Sequence, residues 1–228
     1  MNKQIEAIIF DLDGVITDTA EFHYLAWKKL GEDLGIPFDR EFNETLKGVS
    51  RTDSLERILK LGDRQNDFSE VEKDELATKK NAHYVELISN ISEKDLLPGI
   101  ESFLIQIKKA GIKIAMASAS KNALMVANAL EITSYFDHIV DAATVVNSKP
   151  DPEVFLKAAK AVSANPENCI GVEDAAAGVD AINAANMFSV AIGDSTILSH
   201  ANFVLSSTEE LELNRIIDKF LASKIIQE

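Results

Sequence analysis

From Leu97 onward, short apolar runs alternate with amphipathic stretches of helical period. The first of these helices is predicted to follow Pro98-Gly99 and to stop at Gly111. Its apolar face consists of Ile100, Phe103, Leu104 and Ile107. Further strands are predicted over residues 112–117, 136–140, 170–172, 189–192 and 203–205, and further helices over 122–130, 155–162 and 213–220. Such alternation predicts a parallel sheet with right-handed crossovers.

A first strand is predicted near the N-terminus, at Ala7-Ile8-Ile9-Phe10. This run is short and does not alternate with polar residues, which is typical of a strand buried on both faces of a parallel sheet. The fold class predicted for the chain is therefore α/β, with a Rossmann-like parallel sheet as its core.

Residues 18–92 differ in texture from the rest of the chain. They are rich in charge, and they predict helices over 20–34, 52–61 and 70–89 without a convincing strand. We expect a helical cap domain at 18–92, inserted into a core domain formed by residues 1–17 and 93–228. The pair Lys79-Lys80 is interpreted as part of the solvated surface of this cap.

The charge balance limits the possible partners. Lys and Arg total 23 against 37 Asp and Glu, which gives a net charge of −14. This excess argues against non-specific binding to nucleic acid or to an anionic membrane. A small anionic substrate remains possible if local cations or a metal ion receive it.

Location and assembly follow from similarly simple features. The single cysteine, Cys169, cannot form an internal disulfide, and its apolar neighbours predict a small buried side chain. The apolar run near the N-terminus is too short for a signal peptide or a membrane span. We expect a cytoplasmic monomer.

Polar side chains follow several predicted strands. They are Asp11, Asp13, Ser118, Ser120, Lys149, Glu173 and Asp174. An isolated Asp-x-Asp-Gly is most often a solvated turn. Because the carboxyl ends of parallel strands meet at one edge of the sheet, these residues together predict a shared site there.

Four carboxylates at one edge would repel one another, at a cost of about 4 kcal/mol for each pair about 4 Å apart at an effective dielectric near 20. A hard divalent cation would relieve this cost, and an oxygen-only ligand set suits Mg²⁺. Lys149 would add a fixed positive charge, and Ser118 would add a hydrogen-bond donor. This combination describes a phosphate site in which one carboxylate can attack phosphorus.

Four segments resemble the motifs of the haloacid dehalogenase superfamily. They are residues 11–19, Ser118, residues 149–152 and Glu173-Asp174. The resemblance implies that Asp11 is the aspartyl nucleophile, that Asp13 is the general acid/base, and that Ser118 and Lys149 hold the phosphoryl group. It also implies Mg²⁺ bound by the Asp11 carboxylate, the Asp13 backbone carbonyl, Glu173 and Asp174. Ala175 departs from the pattern, since many members have serine there, which leaves the tuning of the metal open.

Essentially the whole chain resembles more specifically the hexose-phosphate mutases of this superfamily, through residues 17–23, Trp27, residues 47–51 and residues 118–122. This resemblance implies interconversion of β-D-glucose 1-phosphate and glucose 6-phosphate through β-glucose 1,6-bisphosphate. It also implies that His23 is a hinge histidine that engages Asp13 when the cap is open.

The predicted substrate-binding residues are Thr19, His23, Trp27, Arg40, Lys47, Gly48, Arg51, Ser54, Ala119, Ser120, Lys121 and Asn122. Lys47 and Arg51 flank Gly48 in an acidic chain, which favours contact with the phosphate that is not being transferred. Arg40 is a weaker candidate of the same kind. Packing is favoured over ligand contact for Trp27. Ser54 and Asn122 fit helix caps as well as ligand contacts.

Three alternatives share parts of this pattern. A sugar-phosphate phosphatase on the same scaffold would let water take the phosphoryl group from Asp11. A signalling receiver module also phosphorylates an aspartate beside an acidic pair and a lysine, but it is about half this length. A metal-binding structural protein would need neither Lys149 nor the cap.

Overall fold

The computed structural model describes residues 5–226. A six-stranded, wholly parallel sheet forms the centre of this region. Its strands are β1 (Ala7–Phe10), β2 (Lys113–Met116), β3 (His138–Ile139), β4 (Cys169–Glu173), β5 (Phe188–Ile192) and β6 (Phe203–Leu205). The predicted fold class is confirmed.

Some helices lie in the insertion between β1 and β2, and the others flank the sheet. They are α1 (Ala20–Leu34), α2 (Arg40–Glu44), α3 (Arg51–Leu61), α4 (Glu70–Leu87), α5 (Ile100–Lys109), α6 (Ala123–Ala129), α7 (Glu153–Ala161), α8 (Ala176–Ala184) and α9 (Leu213–Ile226). Within residues 5–226, no helix combines the length and the apolar character that crossing a bilayer requires.

The strand order is β3-β2-β1-β4-β5-β6. The chain moves outward from β1 to β3 and then crosses to β4, on the other side of β1. Ile8 of β1 is therefore in register with Ile114 on one side and with Ile170 on the other. In open sheets of this type, ligands bind beyond the carboxyl ends of the strands at the reversal of order, here between β1 and β4.

Both faces of β1 are buried, as its apolar run predicts. Ile8 and Phe10 belong to the hydrophobic cluster on one face of the sheet. Ala7 and Ile9 belong to a second cluster on the opposite face, which also includes Cys169. This alternation follows from the two-residue period of a strand. Cys169 is buried as predicted, and burial raises the pKa of its thiol to about 12.

Helices α1 to α4 have a hydrophobic cluster of their own, which includes Trp27, Leu30 and Ile58. The sequence predicted three of these helices, but α2 has only five residues and no apolar period. The two connections between insertion and sheet run side by side, because the Thr17 hydroxyl donates to the carbonyl oxygen of Asp95 at 2.7 Å. The boundary between a cap domain and a core domain near these residues stays a prediction. Residues 1–4 and 227–228 of the predicted core domain lie outside the described residues.

Candidate active site

Four chain segments bring polar side chains to the carboxyl edge of the sheet. Asp11 directly follows β1, and Ser118 follows β2. Lys149 comes from the connection after β3, and Glu173 is the last residue of β4. The structure therefore places these sequence-predicted residues at one edge, because neighbouring parallel strands end at similar heights.

Lys149 lies at the centre of this edge with only 2% of its surface exposed. Its Nζ donates to Oδ1 of Asp11 and to Oε1 of Glu173, at 2.6 Å in each case. Burial alone would lower the pKa of Lys149, but the two carboxylates raise it overall. The ammonium is a fixed positive charge beside Asp11, where a phosphoryl group would bring negative charge.

The acids at this edge are poorly solvated. Burial raises the pKa of the Asp11 carboxyl to about 7, opposed by Lys149 and reinforced by Glu173 and Asp13. Burial also raises the pKa of Asp174 well above its ordinary value, with Glu173 and Asp11 adding to the effect. The edge therefore holds more carboxyl groups than Lys149 alone can keep ionised.

The donor set fits Mg²⁺. Carboxylate oxygens of Asp11, Glu173 and Asp174 lie within 4.8 Å of one another. All are hard oxygen ligands, and a divalent cation among them would favour their ionised forms. Glu173 Oε2 also accepts the backbone N–H groups of Asp174 and Ala175, at 2.8 Å each, which fixes its orientation. The fourth ligand implied by resemblance, the Asp13 carbonyl, stays a prediction.

Two glycines make room for these carboxylates. Gly14 has a φ of +83°, and a Cβ placed there would lie 2.2 Å from Oδ2 of Asp174. A Cβ on Gly178 would lie 1.8 Å from Oε1 of Glu173. Side chains at either position would displace an acid from the site. Gly14 is thus required by close packing as well as by its turn.

Asp13 connects the sheet edge to the insertion. Its backbone N–H donates to Oδ2 of Asp11 at 3.0 Å. Its carboxylate points elsewhere, since Oδ1 accepts the hydroxyl of Thr19 and lies 3.6 Å from Nε2 of His23. Burial raises the pKa of Asp13, whereas the Thr19 hydroxyl lowers it. Asp13 therefore lies between the proposed nucleophile and the first helix of the insertion.

Lys80 corrects the expectation of a solvated Lys79-Lys80 pair. Lys79 is exposed and pairs with Asp33 at 2.8 Å, but Lys80 is 3% exposed. The Lys80 Nζ lies 4.6 Å from the ring centroid of Trp27 and 5.0 Å from that of Tyr84. Burial, followed by the charge of Arg51, lowers the pKa of Lys80 to about 7. A signal existed in the sequence, because Lys80 shares a helical stripe with the buried Ala77 and Tyr84.

Lys47 and Arg51 project from the insertion toward the sheet edge. Lys47 pairs with Glu44 at 2.8 Å, and although burial lowers its pKa, Glu44 and Asp174 raise it overall. Arg51 begins α3 and forms no ion pair with any residue in 5–226, and burial lowers its pKa. An anionic ligand would supply the partner that Arg51 lacks.

A cavity separates the insertion from the sheet edge. The predicted site residues that line it are Asp11, Asp13, His23, Trp27, Lys47, Gly48, Arg51, Ser54, Ala119, Ser120, Lys121 and Asp174. Sequence reasoning missed five other lining residues, Ala20, Asn43, Leu46, Val49 and Lys80. Ser118 and Lys149 line an adjacent cavity, which shares Arg51, Ala119 and Lys121 with the first.

The structure does not bring Arg40 to either cavity. The Arg40 guanidinium donates to both carboxylate oxygens of Glu21, at 2.7 and 2.8 Å, and lies 4.3 Å from the centroid of the Tyr24 ring. Its side chain is 66% exposed. A carboxylate and an aromatic face on α1 thus hold it at the surface, which corrects the prediction of substrate contact.

Neither Ser54 nor Asn122 caps a helix through its side chain. Ser54 is buried inside α3, which is capped by Ser50 instead. Asn122 precedes α6, but its side chain makes no capping hydrogen bond. Its Nδ2 donates to Oδ1 of Asn81 on α4, at 2.8 Å. Thr19, the remaining predicted substrate-binding residue, is buried, and its hydroxyl donates to Oδ1 of Asp13.

A parallel sheet with this carboxylate–lysine edge and an inserted helical layer defines a phosphoryl-transfer enzyme. Residues 5–186 match the family model of haloacid dehalogenase-like hydrolases, and the chain belongs to that family. Membership implies dependence on Mg²⁺, in agreement with the oxygen ligands of the site.

Similar proteins extend this result. The β-phosphoglucomutase of Bacillus subtilis is 46% identical over 216 residues, which cover 95% of this chain and 96% of that protein. A crystal structure of β-phosphoglucomutase from Clostridium difficile is 54% identical and covers 97% of this chain and 100% of its own, with a TM-score of 0.96. The phosphorylated carbohydrates phosphatase of Thermotoga maritima is 29% identical over 185 residues, 80% of this chain and 82% of that protein.

Proposed function

We propose that this chain is a β-phosphoglucomutase. It interconverts β-D-glucose 1-phosphate and glucose 6-phosphate through an aspartyl-phosphate on Asp11 and through β-glucose 1,6-bisphosphate. Near-complete coverage of two β-phosphoglucomutases, at 46% and 54% identity, supports this activity over that of the more distant phosphatase.

The first transfer starts from phosphorylated Asp11. The C6 hydroxyl oxygen of β-glucose 1-phosphate forms a bond to phosphorus as the bond between phosphorus and the Asp11 oxygen breaks. Asp13 accepts the proton of that hydroxyl. The products are β-glucose 1,6-bisphosphate, a free Asp11 carboxylate and a protonated Asp13.

The second transfer reverses the roles. The Asp11 carboxylate attacks the C1 phosphate of the bisphosphate, and the bond between phosphorus and the C1 oxygen breaks. Asp13 returns its proton to that oxygen, so glucose 6-phosphate leaves and Asp11 is phosphorylated again. Lys149 and Ser118 hold the transferred group in both steps. When bound by Asp11, Glu173, Asp174 and the Asp13 carbonyl, Mg²⁺ would neutralise part of the phosphoryl charge.

The insertion has two proposed tasks. Arg51 and Lys47 bind the phosphate that is not being transferred, and the cavity wall excludes water from Asp11. Excluding water matters because it would otherwise hydrolyse the aspartyl-phosphate.

One observation carries the choice of a mutase over a phosphatase. The Asp13 carboxylate accepts a hydrogen bond from Thr19 and faces His23, although the Asp13 backbone N–H donates to Asp11. An acid/base restrained by the cap can wait for a sugar hydroxyl, whereas a phosphatase needs it ready to activate water.

The test is a coupled assay with β-glucose 1-phosphate, Mg²⁺ and a trace of bisphosphate. Glucose 6-phosphate and free phosphate are measured in the same samples. We expect glucose 6-phosphate to form much faster than free phosphate. Faster release of free phosphate would replace the mutase with a hexose-phosphate phosphatase.

The proposal includes the organisation of the chain. Residues 18–92 form the cap and residues 1–17 and 93–228 the core, supported by the separate hydrophobic cluster of the insertion. A cytoplasmic location and a monomeric state complete it.

A further inference from the structure

Ser148 lies immediately before Lys149 and contacts the insertion. Its hydroxyl donates to Oδ2 of Asp53 at 2.5 Å and accepts the backbone N–H of Ser50 at 3.2 Å. These bonds span 95 and 98 residues of sequence. Ser148 thus joins the segment that carries Lys149 to the start of α3.

The same Asp53 oxygen also receives the hydroxyl of Ser50, at 2.9 Å. Ser50 in turn accepts the backbone N–H of Asp53 at 3.2 Å, which caps α3. A serine hydroxyl has one proton to donate, and both serines donate theirs to Asp53. The carboxylate at the helix N-terminus is thereby stabilised from the insertion and from the sheet side together.

Helix capping alone does not require Ser148. Helix α4 has the corresponding arrangement, in which Ser69 donates to Oε2 of Glu72 at 2.7 Å and accepts the N–H of Glu72. That cap involves no residue of the sheet domain among those described. The bonds from Ser148 to Asp53 and Ser50 are therefore additional to the cap of α3.

The position of these bonds connects two of the phosphate-binding cations of the proposed function, Arg51 and Lys149. Arg51 lies between Ser50 and Asp53 in sequence, and Lys149 follows Ser148. The second cavity, which Ser118 and Lys149 line, is also lined by Ser50, Arg51, Asp53 and Ser148. A shift of α3 away from Ser148 would increase the separation between Arg51 and Lys149.

We propose that Ser148 and Asp53 are positioning residues that latch the cap to the core. This inference rests on the proposed function, because the latch sets the separation between the two phosphate-binding cations. Neither residue touches the transferred group. Asp53 is exposed, so water competes for its oxygens, and the latch can open whenever product leaves.

The experiment compares Ser148→Ala, Asp53→Ala and the double variant with the wild type, using Ser69→Ala as the matched control. Each single change in the latch should lower kcat/KM for isomerisation of β-glucose 1-phosphate by about 5-fold to 30-fold. The loss in the double variant should be smaller than the product of the two single losses, because the bond between Ser148 and Asp53 is already absent from each single variant. Ser69→Ala should stay within about 2-fold of wild type.

Two further measurements separate a latch from a general structural role. Phosphorylation of Asp11 by acetyl phosphate, which has no second phosphate, should change less than about 2-fold in Ser148→Ala. The Kd of glucose 6-phosphate by calorimetry should rise in that variant and not in Ser69→Ala. Equal losses with acetyl phosphate and with β-glucose 1-phosphate, multiplicative losses in the double variant, or wild-type isomerisation by Ser148→Ala would overturn the latch.

The wild-type measurement keeps the two proposals distinct. If the wild type isomerises and the latch variants match it, the latch is wrong and the proposed function stands. If the wild type only releases phosphate, the proposed function is wrong and the latch falls with it.

Discussion

The Nζ of Lys80 lies 2.8 Å from Nδ1 of His23, although 57 residues separate them in sequence. While Lys80 is an ammonium it can only donate, and Nδ1 then accepts while the imidazole proton resides on Nε2. Burial lowers the pKa of His23 well below its ordinary value, with Lys80 adding to the effect, which keeps the ring neutral. Lys80 thus directs the N–H of His23 toward Asp13.

Replacement of His23 by alanine tests this arrangement. We expect His23→Ala to slow the approach to steady-state isomerisation, because Asp13 loses the imidazole that lies 3.6 Å from its carboxylate. Binding of Mg²⁺ and of glucose 6-phosphate should change little. Pre-steady-state kinetics with and without added bisphosphate would measure the delay, and weaker sugar binding without a delay would contradict the role.

Replacement of Lys80 should change how stability depends on pH. The pKa of Lys80 is about 7 in the folded protein and ordinarily 10.5, so the unfolded chain binds more protons between these values. Wild-type stability should therefore rise with pH across this window relative to Lys80→Met, by on the order of 3 kcal/mol between about pH 7 and pH 10.

Urea unfolding at several pH values would measure this difference. The matched control is Lys79→Met on the same helix, since Lys79 is exposed and pairs with Asp33. Between about pH 7 and pH 10, we expect Lys80→Met to differ from Lys79→Met in the same direction as it differs from wild type. A difference between Lys80→Met and wild type that does not depend on pH would show that Lys80 keeps an ordinary pKa.

Asp11→Asn should abolish turnover while the fold persists. An amide keeps the shape of the side chain but cannot attack phosphorus, so we expect activity below about 1% of wild type. Circular dichroism checks the fold, and the coupled assay checks activity. A folded variant that retains several per cent of the activity would place the nucleophile elsewhere.

Asp174→Ala should weaken the response to Mg²⁺. Removal of one of three converging carboxylates takes away a ligand and also eases the repulsion among the rest. A Mg²⁺ titration of activity should shift to concentrations higher by at least about 10-fold. An unchanged titration would mean that Asp174 is not a ligand.

Arg51→Ala should affect sugar phosphates far more than acetyl phosphate. The guanidinium has no ion-pair partner within residues 5–226 and lines the cavity, so we expect about 100-fold lower kcat/KM for β-glucose 1-phosphate. Arg40→Ala is the control, because Arg40 pairs with Glu21 at the surface. A similar loss with acetyl phosphate and with β-glucose 1-phosphate would mean that Arg51 supports folding or acts at the nucleophile site.

Much of the fold could be predicted from hydrophobic pattern alone. The four consecutive apolar residues of β1 do not alternate with polar ones, which predicts a strand buried on both faces. The apolar residues of α5 recur at helical spacing, which predicts a helix. The short α2 could not be predicted in this way, since five residues contain too little periodicity.

The residues at the carboxyl edge of the sheet could also be predicted from the sequence. Asp11 and Glu173 each adjoin a predicted strand, Lys149 follows another after a longer connection, and parallel strands deliver such residues to one edge. Strand ends are local features, so the sequence could identify the chemical types present at the site and the metal that suits them.

Contacts across the insertion depended on the tertiary structure. Arg40 and Arg51 are both arginines of the predicted cap, but Glu21 and Tyr24 hold Arg40 at the surface whereas the packing of α3 directs Arg51 into the cavity. Lys80 became a buried partner of His23 because α4 packs against α1. Local sequence determined which residues lie on each helix. Only the packing of helices distant in sequence decided which charged side chains are exposed to solvent and which contact other polar side chains. These contacts involve neighbours tens of residues away in sequence, which local patterns do not specify.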